Sequence, residues 1–398
     1  MNALQRPLEN VVIVELARVL ACPFADMILA ELGATVIKIE QPRDGDETRS
    51  FEPMVGTESA YYFACNRSKQ SVTVNLKTEE GRQIVRDLAK QADVVLENFP
   101  VATLARYGLD APALRALNER LIYVSCTGFG QTGPYASRKG YDTVFQAMGG
   151  LMSLTGEAGG GPVKPGLPIA DLASGLWIAI AILSALHGRT STGAGCHVDF
   201  SMLDGQVSLL TLAAARFFAL GEVPPRMGTE HPGRVPSATF GCQDGRFVHI
   251  TCSDQHWLPL CKLLKLEDLA ADPALAANAG RVAERERVMD ALTAAIATWP
   301  RAALCAACDA VGVPAGPVNA VDEVLSDPHV LARGMVGSFE HPVAGTFGAL
   351  PVPFKFDGFA NPELGRPPLL GEHTEQVLRD RLGYDTGKID TLRRAGAI

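Results

Sequence analysis

Over its first two hundred residues this chain alternates between short Val- and Ile-rich runs and segments with helix signals, and that alternation leaves few folds open. The runs are Val11–Leu16, Thr35–Glu40, Ser71–Leu76, Asp93–Asn98, Leu121–Thr127 and His197–Met202. Several are apolar on both faces, as strands covered on both sides must be. Between them, Pro23–Leu32 has proline at an early helical position and stops at Gly33. Thr78–Gln91 has an acidic first turn and basic residues later, in keeping with the helix dipole. The repetition predicts an α/β fold, a doubly wound domain on a mostly parallel sheet. Its first strand is followed by Ala17-Arg18-Val19-Leu20-Ala21-Cys22-Pro23, so the GxGxxG dinucleotide fingerprint is absent. Ligands are still expected at the carboxyl ends of the strands. Those ends carry Arg18, the stretch Glu40-Gln41-Pro42-Arg43, Asn98-Phe99 and Thr127-Gly128.

After Asp204 the pattern changes. Gly205–Leu220 reads as one mostly apolar helix, and Pro224, Pro225, Pro232 and Pro236 then mark a break. Thr239–Gly241 and Phe247–Thr251 read as paired strands around Gln243-Asp244-Gly245-Arg246. Helices are expected over His256–Leu264, Ala279–Thr298 and Val321–Leu331. The expected division is a large α/β domain over 1–204, a linker helix over 205–225, a smaller α+β domain over 226–320, and a linker and tail over 321–398 that returns to the large domain.

Composition narrows the function. The chain has 398 residues, 47% hydrophobic and 20% charged, enough to bury a sizeable core. A net charge of −8 with no basic run argues against nucleic acid as a partner, so an anionic ligand needs a local cluster of cations. The nine cysteines are scattered. Cys305 and Cys308 form a CxxC inside an alanine-rich helical stretch, which reads as core rather than metal ligands; no metal is expected. Reduced thiols fit a cytoplasmic protein. The apolar run Leu172–Leu186 reads as too short and too rich in small residues for a membrane span, so no membrane partner is expected.

One carboxylate stands out. Asp171 lies in Gly166-Leu167-Pro168-Ile169-Ala170-Asp171, after the glycines Gly156, Gly159, Gly160 and Gly161 and just before the apolar helix Leu176–Leu186. Spacing alone reads it as an N-cap. A carboxylate partly desolvated at a helix mouth is also a plausible nucleophile, with the helix end keeping it ionised. Backbone N–H groups near Gly159–Gly161 are candidates for stabilising an oxyanion; a mobile turn is the alternative.

Several segments, in order, resemble the family III CoA-transferases. They are Val14-Glu15-Leu16-Ala17-Arg18-Val19, Ala21-Cys22-Pro23, Leu32-Gly33-Ala34-Thr35-Val36-Ile37-Lys38-Ile39-Glu40, Gly45-Asp46-Glu47-Thr48-Arg49, Asn66-Arg67-Ser68-Lys69, Asp93–Phe99, Gly128-Phe129-Gly130, Lys139-Gly140-Tyr141-Asp142 with Gln146, and Pro368–Thr374. The resemblance implies that Asp171 is the catalytic carboxylate and that coenzyme A is a substrate, with no cofactor bound permanently. It implies CoA contacts at Leu20, Ala21, Gln41, Arg43, Val74, Asn75, Leu76, Lys77, Asn98, Phe99, Arg106, Lys139, Gly140, Tyr141 and Asp142. Gln41 stands where formyl-CoA transferase has arginine, and Arg43 is placed to compensate. Leu20 replaces a glutamine, and no four-glycine run lies between Arg226 and Thr251, which argues against formyl or oxalyl chemistry. The racemase branch of the fold places a histidine where Tyr141 stands. Tyrosine, with a pKa near 10, is a poor two-way proton shuttle. Transfer is therefore favoured, with a 2-methylacyl-CoA racemase or isomerase as the alternative. The run Arg226–Pro232 resembles the branch that uses dicarboxylates, such as succinate–hydroxymethylglutarate CoA-transferase. Arg226 and His231 are its candidate ligands for a distal carboxylate, and a domain-entry turn is the other reading. The expectation is transfer of CoA from an acyl-CoA such as succinyl-CoA to a small carboxylic acid through a covalent intermediate on Asp171. The resemblance also implies an interlocked homodimer.

Overall fold

Six parallel strands organise the larger part of the chain. They are β1 (Val12–Glu15), β2 (Thr35–Glu40), β3 (Gln70–Thr73), β4 (Val94–Glu97), β5 (Ile122–Thr127) and β6 (His197–Ser201). Their order across the sheet is β3-β2-β1-β4-β5-β6, and every neighbouring pair is parallel. The winding reverses between β1 and β4, the place where such sheets open a crevice at their carboxyl ends. The structure is a computed structural model and describes residues 4–398.

Alternation along each strand sends side chains to two cores. Val14, Ile37, Ile39, Val72, Val95 and Tyr123 face one side. There they meet α2 (Glu79–Ala89), α3 (Ala111–Leu117) and the C-terminal helices Thr374–Leu382 and Thr386–Arg394. Ile13, Val36, Val94, Leu96, Ile122 and Val124 face the other, under α1 (Ala21–Glu31) and α5 (Ile169–Thr192). A short helix, α4 (Asp142–Met148), precedes α5. Helices α1 and α5 cross closely because of one residue: a Cβ on Gly175 would come 2.7 Å from Ala21 O and 2.8 Å from the Phe24 ring. The doubly wound α/β architecture expected from the alternation is therefore present.

The chain divides into two compact units. The larger holds residues 1–151, 164–215 and 329–398, and the smaller holds 152–163 and 216–328. Against expected bounds at 204, 225 and 320, the smaller unit begins at Arg216, ends at Pro328 and also takes Met152–Val163. Its antiparallel sheet has β7 (Ser237–Gly241), β8 (Phe247–Thr251) and β9 (Ala315–Pro317) in the order β9-β8-β7. Phe240, Val248, Ile250, Trp257, Val288, Leu292 and Leu304 form its core.

Several expected elements differ in detail. The helix placed over Gly205–Leu220 is two helices, Met202–Ser208 and Thr211–Leu220, bent by 65°. It starts early because Ser201 Oγ accepts the Asp204 N–H, and it breaks where the Leu209 and Leu210 N–H groups turn to Gln206 and Val207 carbonyls, three residues back. The third strand ends at Thr73; the Val74 N–H still goes to Glu40 O, after which the chain leaves the sheet and the Asn75 N–H goes to Ala397 O. The helix expected over Ala279–Thr298 is Asn278–Ala283 and Arg285–Ile296, separated at Glu284. The apolar run Leu172–Leu186 extends into a 24-residue helix, α5, which is long and apolar enough to cross a membrane by composition. The judgement that it is too short is thus corrected; one of its sides packs on α1 and the sheet.

Candidate functional site

Asp171 is the third residue of α5, not its N-cap. The cap position is Pro168, which offers no side-chain acceptor. The acceptor comes from Asp142, the first residue of α4. Asp142 Oδ1 takes the Ala170 N–H at 2.8 Å and the Asp171 N–H at 3.2 Å, while its Oδ2 accepts from Gln146 Nε2. The N-cap reading of Asp171 is corrected: proline cannot cap, and a carboxylate 29 residues earlier satisfies the orphan N–H groups instead. With its own backbone held from across the loop, the Asp171 side chain is left to the cavity.

That cavity, about 210 Å³, is lined by Arg18, Val19, Leu20, Ala21, Asn98, Cys126, Thr127, Gly128, Gly140, Tyr141, Asp142, Phe145, Asp171 and Met202. It opens at the carboxyl ends of β1, β4 and β5, beside the switch point. Burial pushes the Asp171 carboxyl up, and the negative Asp142 pushes it further, to about 7. The expectation that the helix end keeps it firmly ionised is corrected, because desolvation and a like charge outweigh the dipole. Among the described residues no lysine or arginine is in ion-pair contact with Asp171. Tyr61 feels the same charges: burial, then Cys65, Asp171 and Asp142, raise its hydroxyl to about 12, so it stays a neutral donor.

A second cavity of about 200 Å³ holds Leu16, Arg18, Ile39, Glu40, Gln41, Gly45, Asp46, Val74, Asn75, Leu76, Lys77, Phe99 and Tyr107. Arg18 lines both cavities and lays its guanidinium 4.9 Å from the Phe99 ring centroid. Arg18 and Lys77 are therefore the cations available to an anion there. Glu40 and Asp46 are not free to repel it. Arg49 grips both Glu40 oxygens at 2.7 Å, and Lys38 lies 2.9 Å from Asp46. Burial alone would raise both carboxyls, but these cations outweigh it and hold both low.

The expected CoA contacts thus fall into two groups. Leu20, Ala21, Asn98, Gly140, Tyr141 and Asp142 line the Asp171 cavity; Gln41, Val74, Asn75, Leu76, Lys77 and Phe99 line the adjoining one. Three cations do not join them. Arg43, at φ 80°, faces a separate open cleft with Arg379 and Arg393, so it does not stand in for an arginine at Gln41. Arg106 and Lys139 are exposed and line neither cavity. In the smaller unit, Arg226 donates to Gly160 O through Nε and Nη2 and to Ser153 O through Nη1, and His231 Nδ1 accepts the Gly233 N–H. Both are engaged in a turn. The Gly160 N–H is committed to Glu157 O, which removes it from the proposed oxyanion role. Arg18 and Asp46 are the residues that sequence selection passed over. Both were visible, Arg18 at the first strand end and Asp46 in the Gly45–Arg49 segment.

These observations fit what the chain is similar to. The sequence model of CoA-transferase family III matches residues 8–374. A succinyl-CoA:glutarate CoA-transferase from Mus musculus is 40% identical over 394 residues, 99% of this chain and 90% of that protein. A succinyl-CoA:mesaconate CoA-transferase from Haloarcula marismortui is 38% identical over 397 residues, 96% of this chain and 97% of that one. The crystal structure of a CAIB/BAIF family protein from Brucella suis superposes with a TM-score of 0.86 at 42% identity, covering 95% of this chain and all of that one. The chain belongs to CoA-transferase family III.

Proposed function

We propose that this CoA-transferase moves CoA from succinyl-CoA to a second dicarboxylic acid through covalent intermediates on Asp171. The observation that carries the reading is Asp171 itself: a carboxylate without a cation, fixed by the Asp142 cap, in a cavity at the switch point beside a second cavity with Arg18 and Lys77. An Asp171 oxygen attacks the thioester carbonyl, the C–S bond breaks, and CoA leaves as thiolate, a far better leaving group than an alkoxide. The product is a mixed anhydride. The thiolate then attacks the Asp171 carbonyl, releasing the donor acid and leaving CoA on Asp171 as a thioester. The acceptor carboxylate reverses both steps. Each intermediate is sensitive to water, which suits a small enclosed site.

Relatives whose names specify glutarate and mesaconate support a dicarboxylate acceptor. Arg226 and His231 are the first residues to substitute once the acceptor is known, with Arg226 also fastening the turn at Gly160 within the smaller unit. Exposed apolar side chains on α5, Leu176 and Ile180, and on the helix Thr211–Leu220, Leu212 and Phe218, support an interlocked homodimer, since such surface is normally covered. Nine free cysteines fit a cytoplasmic setting. The test is a panel of acceptor acids with succinyl-CoA, read by thioester exchange. C4 to C6 dicarboxylates should outrun acetate and butyrate; equal rates with monocarboxylates would remove the dicarboxylate assignment. Deuterium entering Cα of a 2-methylacyl-CoA with no acceptor present would favour the racemase instead.

A further inference from the structure

One wall of the Asp171 cavity is a loop that its own backbone disfavours. Val19 lines the Asp171 cavity at φ 70°, the left-handed region that a β-branched residue almost never adopts. Such a conformation persists only where its surroundings over-determine it. Here they do, and from below. Lys38 is fully buried and reaches Glu15 Oε1 at 2.8 Å, Asp46 Oδ2 at 2.9 Å and Ala17 O at 3.0 Å. Lys69, also buried, reaches Glu15 Oε2 at 2.7 Å, Asn66 Oδ1 at 3.0 Å and Pro23 O at 2.9 Å. The two lysines thus hold the entry and exit of the loop. Asn98 clamps Arg18, accepting its N–H at 3.0 Å and donating to its carbonyl at 2.7 Å.

Val19 itself is held by Asp46. Both carboxylate oxygens lie 3.3 Å from the Val19 N–H, and Cys65 Sγ lies 3.5 Å from Val19 O. Asp46 is in turn fixed by the Thr48 N–H at 3.0 Å and the Thr48 hydroxyl at 2.9 Å, and its own N–H goes to Glu40. Capping the short helical turn Glu47–Ser50 needs only the Thr48 contact. The pull on Val19, 27 residues earlier in the chain than Asp46, is in excess of that need.

We propose that Asp46 is a positioning residue: anchored by Lys38, it holds the Val19 N–H and so keeps the strained Arg18–Ala21 loop at the geometry that group transfer on Asp171 requires. The proposal rests on the reading of Asp171 as the acyl-carrying group. Val drives the loop out of the left-handed region; Asp46 opposes that drive. Glycine has no such drive, because it enters that region about as readily as any other.

The test is a double-mutant cycle of Asp46→Asn and Val19→Gly on the full-length enzyme, with kcat and KM for succinyl-CoA measured for each. Asp46→Asn should lower kcat by about tenfold to a hundredfold, the usual consequence of a sub-ångström to ångström misplacement. KM should stay within about threefold, because asparagine keeps the shape of the side chain that lines the adjoining cavity and leaves its two cations, Arg18 and Lys77, in place. The same substitution in the Val19→Gly background should cost at least about threefold less. Equal losses in both backgrounds, or a lowered melting temperature with kcat intact, would overturn the proposal. If Asp46→Asn does not fold, Thr48→Val takes its place in the cycle, since it removes one donor to Asp46 without emptying the site; it should give a smaller kcat loss with the same coupling, and additivity there counts equally against us. Failure of the Asp171 reading is seen separately, as transfer that persists in Asp171→Asn.

Discussion

Within one domain, two sets of buried carboxylates are treated in opposite ways. At the start of α5 Asp142 accepts N–H groups, the described residues place no lysine or arginine in ion-pair contact with Asp142 or Asp171, and Asp171 rises to about 7. Glu40 and Asp46, only a strand end away, are at least as buried, yet Arg49, Lys38 and bonded hydroxyls hold both below the usual range. Burial is common to both sets. The cation decides the outcome. The paired carboxylates are held ionised and take no part in the chemistry directly; the set without a cation holds a carboxyl poised between its two forms at neutral pH, which is what reversible acyl exchange asks of a nucleophile that must also leave.

The largest break of this contrast is at Asp171. Asp171→Asn keeps the shape and removes the nucleophile, so transfer should fall by roughly a thousandfold or more, while calorimetry should find CoA bound as before. Loss of binding with loss of rate would make Asp171 a structural residue like Glu40. Next comes the cation. Lys38→Met leaves Glu15 and Asp46 buried without their shared ammonium and should cost about 3–5 kcal/mol in chemical denaturation. A neutral effect would mean that the paired set is not held by its cations.

A finer effect is the pH profile. Because Asp171 must be ionised to attack, kcat/KM should fall about tenfold per pH unit below its titration near 7 and level off above it. Glu97 is also raised to about 7, by burial against the opposing bonds from Ser125 and the Phe99 N–H, so the profile alone does not assign the group. Asp142→Asn does. It keeps an acceptor for the α5 N–H groups but removes the like charge on Asp171, so the midpoint should move to lower pH; a midpoint that stays put points to Glu97. The smallest effect is at Asp26, where burial and the negative Glu15 raise the carboxyl well above its ordinary value against the pull of Lys69 and Lys38. The folded state then holds a proton that the unfolded state releases above about pH 4, so this group's contribution declines as pH rises. Asp26→Asn should leave stability nearly unchanged at acid pH and flatten the decline in melting temperature toward pH 8; an unchanged slope would mean that Asp26 is ionised in the fold.

Much of this was legible in the sequence, and the limits have physical causes. The strand runs marked the sheet because both faces of each strand are covered, so apolar residues ran without interruption through residues 12–14 and 94–96, each closed by a glutamate at the strand end. Asp171 could be singled out by segment order, but its place in the helix could not, because the cap comes from Asp142, 29 residues earlier and on another helix. The resemblance implied CoA contacts at Arg43 and Arg106, yet neither side chain lines the two cavities, which no periodicity encodes. Nothing in the run Arg18-Val19-Leu20 signals a left-handed residue, since valine is the type least suited to it. That conformation is imposed by Asp46 and two lysines from separate strands and turns, and such a tertiary override of local preference is expected at a functional site.

The central claim is that Asp171 carries the acyl group. The direct measurement is mass spectrometry of the protein after incubation with succinyl-CoA and quenching with hydroxylamine or borohydride. The account predicts a hydroxamate or a reduced side chain on the peptide that contains Asp171, absent without succinyl-CoA. A preparation that transfers CoA at full rate and yields only unmodified Asp171 would contradict it.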